Sequence, residues 1–440
     1  VTVNSFLAAG GDNFRGFRAG TQKSESGQSD LEAMVAYMAE FTGGGTPLAV
    51  DFRQHQVGAK FPADAPASYT SGDHVLFDLS SLAFSTAADT KDTQVTVKLG
   101  DRELGTFAVD NTIGTAVFDE YGTASVDVVL PAGTPGGSAT LTVVGNNTGT
   151  STKVTVPTVK ADTTTTATAE GMVYGQDGTV TVTVEPDASG PVRLLDGTDV
   201  VASGTVTDGT GEIVVPGTAL DAGTHQLTVE YLGNDAYNAS STTVTVEVAT
   251  ATATMTAVAS PTTVKVKKGT SKIAVTVSAD GFTPDGFVAA YIGERFLTVA
   301  PVTAGKATLT VGPFSEAGAK SIEVRYFSEG ANAKAEAQTV TVTVKKGTPR
   351  VTVAAPAQVK AGKDKATVTV RVTEPDLAVT GSVVIEVNGR VVATRTLSRG
   401  SATVRIGPFW QTGRKVVTAT YRGSATLDEA SGSDVMRVVR

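Results

Sequence analysis

Apolar and polar residues alternate with a period of two through most of this chain, as in Val95-Thr96-Val97-Lys98-Leu99 and Ala139-Thr140-Leu141-Thr142-Val143. Successive side chains of an extended chain point to opposite faces, so such runs predict strands with one buried face. Turn sequences such as Asp110-Asn111 and Pro131-Ala132-Gly133 punctuate them. One stretch departs from this rule. Leu31, Met34, Val35 and Met38 recur at i, i+3, i+4 and i+7, and Ser29-Asp30-Leu31-Glu32 has the spacing of a capping box. This predicts an amphipathic helix over 30–42, stopping at Gly43-Gly44-Gly45. Before it, the chain opens on strand-like Val1-Thr2-Val3-Asn4. A short apolar strand is then expected to run into a Gly10-Gly11-Asp12 loop.

The alternation is organised in repeats. Tyr231, Tyr326 and Tyr421 are spaced by 95 residues, as are Gly217, Gly312 and Gly407, and Gly223, Gly318 and Gly413. Pro261 and Pro356 keep the same step. A period near 95 exceeds that of solenoids or propeller blades and suits a β-sandwich of about seven short strands. The expected organisation is a unit at 1–60, a linker at 61–70, and sandwich modules at 71–157, 158–250, 251–346 and 347–440. The fold class is mainly β, tandem sandwiches preceded by a short α+β segment.

Composition agrees with this reading: aromatic residues are 6% of the 440, whereas Gly numbers 47. No apolar run approaches the length of a transmembrane helix, so no membrane span is expected. The chain has no cysteine, which excludes disulfides, thiolate metal sites and cysteine nucleophiles. Its net charge of −8 hides an asymmetry. Residues 1–260 carry 11 basic and 30 acidic side chains, and residues 261–440 carry 25 and 14, giving −19 and +11. The basic 261–440 region suits an anionic cell-wall polymer as partner. Lysines that merely blunt exposed sheet edges are the competing explanation.

The modules at 158–440 resemble bacterial Ig-like repeat domains, in which a strand ending in Tyr precedes a Gly/Asp/Asn turn, as in Tyr231-Leu-Gly-Asn-Asp-Ala-Tyr237. The module at 71–157 resembles them more distantly. The run Asn4-Ser5-Phe6-Leu7-Ala8 through Gly10-Gly11-Asp12 and Phe14 resembles the end of the C-terminal domain of secreted 5'-nucleotidases, a branch of the metallophosphoesterases. That resemblance implies a nucleotide substrate, with Phe6 stacking on the base and Asp12 holding the ribose hydroxyls. Gly10 and Gly11 would let the backbone approach the ligand, and Asn4 would complete the substrate-binding set. The family usually has Gly after the Asp, and Asn13 stands there instead. Without the resemblance, Phe6 would be a core residue and Asp12 a turn cap.

On this reading the chain is the C-terminal part of a secreted, extracellular or cell-wall-associated nucleotidase that hydrolyses nucleotides to nucleoside and phosphate. It would contribute recognition and an Ig-like stalk, with no catalytic residue, metal ligand or cofactor of its own. Two divalent metal ions are expected in a missing catalytic domain, so this chain alone should be inactive. The alternative is an extracellular Ig-like adhesion or scaffold protein that binds cell-wall polymer or polysaccharide. His55, His74 and His225 lie in three separate segments and read as surface residues. The loops Asp196–Asp199 and Asp208–Glu212 offer oxygens for calcium but are first of all turns. Trp410 fits a packing role better than a sugar-stacking one, and no nucleic-acid polymer is expected as partner.

Overall fold

The structure is a computed structural model that describes residues 2–43, 45–84, 86–113 and 121–440. It divides into two compact units, residues 1–161 with 235–237, and residues 162–234 with 238–440.

In the first unit no opening strand is present among the described residues: Ser5–Ala8 is a short helix. Its cap explains why. The Asn4 side-chain oxygen accepts the Leu7 N–H at 2.8 Å, which satisfies an amide that a helix start leaves unpaired. A longer helix covers Asp30–Phe41. Ser29 and Glu32 form the capping box that the spacing predicts, with the Glu32 carboxylate accepting the Ser29 N–H at 2.9 Å. That hydrogen bond holds the Glu32 carboxyl below its ordinary range. The helix ends at Phe41 with Thr42 as its cap; Gly44 of the expected stop lies outside the described residues. No residue of this helix is buried.

A two-sheet module follows. One sheet orders Gly58–Lys60, His74–Ser80 and Ala124–Val129; the other orders Arg102–Ala108, Gln94–Leu99, Gly137–Gly145 and Ser151–Thr158. Within the stretch expected as a linker, Phe61 packs against the core and Tyr69 is buried in it. Val95, Val97, Ala139, Leu141 and Val143 of the quoted alternating runs point inward, and Val75, Phe77 and Leu79 of the other sheet are buried with them. One buried polar group had no sequence signature. Asp92 is fully buried and accepts the N–H groups of Asn147 at 2.6 Å and Thr148 at 2.8 Å, so its carboxylate shapes that turn.

The second unit holds three modules. In the first of these, eight strands between Thr164 and Ala249 form one continuous sheet. The next two each have two sheets, within Ala251–Lys345 and Arg350–Val439. The repeated tyrosines lie at or next to the end of equivalent strands, Gly223–Tyr231, Gly318–Phe327 and Gly413–Tyr421. All three are buried, and each hydroxyl donates to a backbone carbonyl one strand away: Tyr231 to Ser189 at 3.2 Å, Tyr326 to Asp285 at 2.7 Å and Tyr421 to Thr380 at 2.6 Å. Burial without such a partner would be costly for a phenol. The residue after each carbonyl is glycine (190, 286 and 381). At Gly190 a Cβ would lie 3.0 Å from the Tyr231 ring, and at Gly381 one would lie 3.3 Å from that of Tyr421.

A further feature recurs in all four modules. The outer hairpin carries a bulge between Val97 and Lys98, Leu194 and Leu195, Ala290 and Tyr291, and Ile385 and Glu386. A shared bulge re-aims the strand in the same way each time. The module before residue 158 is therefore built on the plan of the other three.

Candidate functional site

The N-terminal loop brings the expected recognition residues onto two adjacent turns. Phe6 lies on the short helix and is 58% exposed. Gly10 takes a left-handed φ of 86°, and Gly11–Asn13 forms a tight turn in which Asp12 (φ 49°) and Asn13 (φ 65°) are also left-handed. Asp and Asn tolerate that region better than most residues, so Asn13 fits the turn without a glycine. The Phe6 ring lies against Gly11, where a Cβ would come within 2.4 Å of it. Arg18, to which the sequence assigned no role, closes the loop by donating from Nε to the Ala9 carbonyl at 2.7 Å. Asp12 is exposed. The Asn4 side chain is engaged as the helix cap, which gives it a positioning task within the loop.

The histidines are dispersed. His55 lies 3.4 Å from Asp51, His74 2.7 Å from Asp127, and His225 3.3 Å from Asp196. Among the described residues no group of three His, Cys, Asp or Glu side chains is placed to hold a metal. The acidic loops are two-residue hairpin turns: Asp196 pairs with Asp199 and Thr207 with Thr210.

The second unit carries chemistry that the sequence reading missed, at the joints between modules. Between the second and third modules, Tyr174 and Phe282 meet edge to face at 4.8 Å. Burial, with Asp285 and Asp221 nearby, raises the Tyr174 phenol above its ordinary range. Asn332, 7% exposed, accepts the Ala222 N–H at 2.6 Å and donates to Asp221 at 2.8 Å. Gly175 and Gly281 pass so closely that a Cβ on Gly281 would lie 1.7 Å from the Gly175 carbonyl oxygen.

Between the third and fourth modules the joint is ionic. Lys265 reaches Glu374 at 2.5 Å and Asp376 at 3.2 Å, and Lys268 reaches Asp376 at 2.5 Å. The Glu374 side chain is 2% exposed, and its other oxygen accepts the N–H groups of Asp376 and Leu377, both at 2.7 Å. Lys265 pulls the Glu374 carboxyl below its ordinary range, and Lys268 together with Lys265 does the same to Asp376.

Trp410 departs from the packing role expected of it, for it is 79% exposed. Its neighbour Phe409 packs against the core, and both lie in the loop between the strands Ser401–Ile406 and Gly413–Tyr421. A shallow cleft of about 230 Å³ lies beside Arg295, Phe296 and Phe314.

Comparison with known proteins bears on the modules. The family model of the bacterial Ig-like domain (group 3) matches residues 163–249 and 351–439. None of the curated proteins compared matches the chain. Among solved structures, a Ca²⁺-stabilised adhesin that helps an Antarctic bacterium reach out and bind ice is 18% identical over 88% of this chain and 99% of its own, with a TM-score of 0.27. The Yersinia pseudotuberculosis adhesin InvE is 16% identical over 41% of this chain and 58% of its own, with a TM-score of 0.26. The fibronectin(III)-like modules of Clostridium thermocellum CbhA are 16% identical over 42% and 92%, with a TM-score of 0.20. Two modules thus carry a bacterial Ig-like sequence signature, and the chain is a mainly β array of Ig-like modules.

Proposed function

We propose that this protein is an extracellular Ig-like adhesion or scaffold protein whose jointed modules act as a spacer held at the bacterial cell wall. The observation that supports the scaffold reading most is the pair of built joints, one closed by Asn332 and facing glycines, the other by Lys265, Lys268, Glu374 and Asp376. Freely swinging modules would have no use for buried polar contacts between them. The excess of basic side chains in 261–440 would supply attraction to an anionic wall polymer. Co-sedimentation of the chain with teichoic-acid-bearing walls tests this. Retention should be strong at low ionic strength and fall as salt screens exposed charges. Retention that ignores salt, or none at all, would remove the wall polymer as partner.

A second reading, nucleotide recognition by residues 1–60, is favoured by the loop that presents Phe6 and Asp12 together. The bare apolar stripe of Asp30–Phe41 also suits a segment that packs on a larger nucleotidase domain. In that reading Phe6 stacks on the base, Asp12 accepts from the ribose diol, and the two divalent metals belong to a domain outside this chain. Titration of the chain with AMP, beside Phe6→Ala and Asp12→Ala, tests recognition. Binding lost in both variants supports it, and equal behaviour of all three chains refutes it.

A further inference from the structure

The fourth module repeats, on one face, the half-joint by which the third module grips its successor. Lys265 and Lys268 recur one period later as Lys360 and Lys363. The backbone that carries them is the same turn. The Lys268 amide donates to Lys265 and the Lys363 amide to Lys360, both at 3.4 Å. Lys267 and Gly362 occupy one left-handed position, with φ of 62° and 73°. Their amides donate to equivalent carbonyls, those of Phe314 at 2.7 Å and Phe409 at 2.9 Å.

The two faces differ in what covers them. On the third module the lysines hold Glu374 and Asp376. Lys360 and Lys363 make no ion pair within 4.0 Å among the described residues; the nearby Asp364 instead accepts the Lys360 amide at 2.9 Å. Beside them stands Trp410, its ring resting on Gly362, where a Cβ would lie 3.0 Å away. Arg414 and Lys415 follow in the strand Gly413–Tyr421 that leaves this loop. The face therefore combines two unpaired ammonium groups with an exposed aromatic. Those are the ionic and apolar ingredients that the two closed joints use separately.

We propose that this face, built on Lys360, Lys363 and Trp410, is an open joint that receives the Glu-Pro-Asp loop of another Ig-like module. That tripeptide occurs twice in this chain, docked at Glu374–Asp376 and exposed at Glu185–Asp187. The lysines would bind its carboxylates, and Trp410 would be covered by the arriving module.

Trp410 is the sole tryptophan and so reports directly. The test extends the full chain at its C-terminus with a copy of residues 347–440 whose own tryptophan is replaced by phenylalanine. A second extension uses a copy of 158–250, with circular dichroism confirming that at least one added module folds. The expected result is that acrylamide quenching of Trp410 falls at least threefold relative to the parent chain. Lys360→Glu with Lys363→Glu should restore the quenching, and Lys at both acidic positions of the added loop should protect Trp410 again. Trp410 as open beside a folded added module as in the parent would overturn the proposal. So would protection that survives the Lys360→Glu, Lys363→Glu change. Trp410 protected in the parent by hyaluronan, and never by an added module, would reassign the face to an anionic glycan and equally overturn it.

Discussion

Replacing Asn332 with alanine isolates what one side chain contributes to a module joint. Asn332 spans the second and third modules through two hydrogen bonds, from the Ala222 N–H at 2.6 Å and to Asp221 at 2.8 Å. A net hydrogen bond contributes about 0.5–1.5 kcal/mol, and a buried donor left unpaired costs about 1–3 kcal/mol. Asp221 is exposed and can turn to water, whereas the half-buried Ala222 amide has less freedom to do so. The expected loss is about 2–3 kcal/mol, local to the joint. Native-state hydrogen exchange at the Ala222 amide reads it directly, which avoids assigning one unfolding free energy to a multi-module chain. At about 1.4 kcal/mol per tenfold, Asn332→Ala should speed that exchange roughly 30- to 150-fold and leave the Ile385 amide in the fourth module unchanged. Asn332→Asp adds a sign. It keeps the acceptor for Ala222 but sets a second carboxylate against Asp221, and two like charges raise one of the pair's pKa values. The variant should therefore be weakest at neutral pH and recover in acid, where one carboxyl is protonated and donates again. If Asn332→Ala changes Ala222 exchange less than threefold, or the Asn332→Asp defect is the same at pH 4 and pH 7, the side chain does not hold the joint.

Three further outcomes follow from the same geometry. Tyr326→Phe and Tyr421→Phe each remove the donor to a backbone carbonyl and should each destabilise their module by about 1 kcal/mol, measurable by denaturant melts of the module's exchange-protected core. Burial and Asp285 push the Tyr326 phenol up to about 12, so its protonated form favours the folded state; stability from this group is whole below about pH 10, falls as pH rises through 12, and should no longer do so in Tyr326→Phe. Because Glu374 and Asp376 titrate below their ordinary range, the ionic joint is intact above it and should open as pH falls below about 4, seen as faster exchange at the Leu377 amide while Ala222 holds.

Much of the architecture was legible because it is periodic. Alternation placed Val95, Val97, Leu141 and Val143 inward, the 95-residue register marked equivalent strands, and Ser29 with Glu32 announced a helix start. The short helix after Asn4 was missed because four residues carry no periodicity; the Asn4 cap was the available signal. Trp410 was misread for a different reason: it stands in the loop between Ser401–Ile406 and Gly413–Tyr421, where no alternation marks which side chain turns inward, and Phe409 takes the packing role. The joints were not legible at all. Lys265 and Glu374 are far apart in sequence, and nothing local to either marks the other. The Gly10-Gly11-Asp12 loop was expected from the sequence, but Arg18's closing bond depends on a fold-back that spacing does not encode.

The two closed joints of the second unit use different chemistry, and that difference works as a grammar. A face that offers Gly175 and Tyr174 has room for Gly281 and Phe282 but no countercharge for Glu374. A face that offers Lys265 and Lys268 answers Glu374 and Asp376 but would leave both ammonium groups idle against Gly281. Exchanging the third and fourth modules would mismatch both seams. The order of the modules is thus written in the chemistry of their ends.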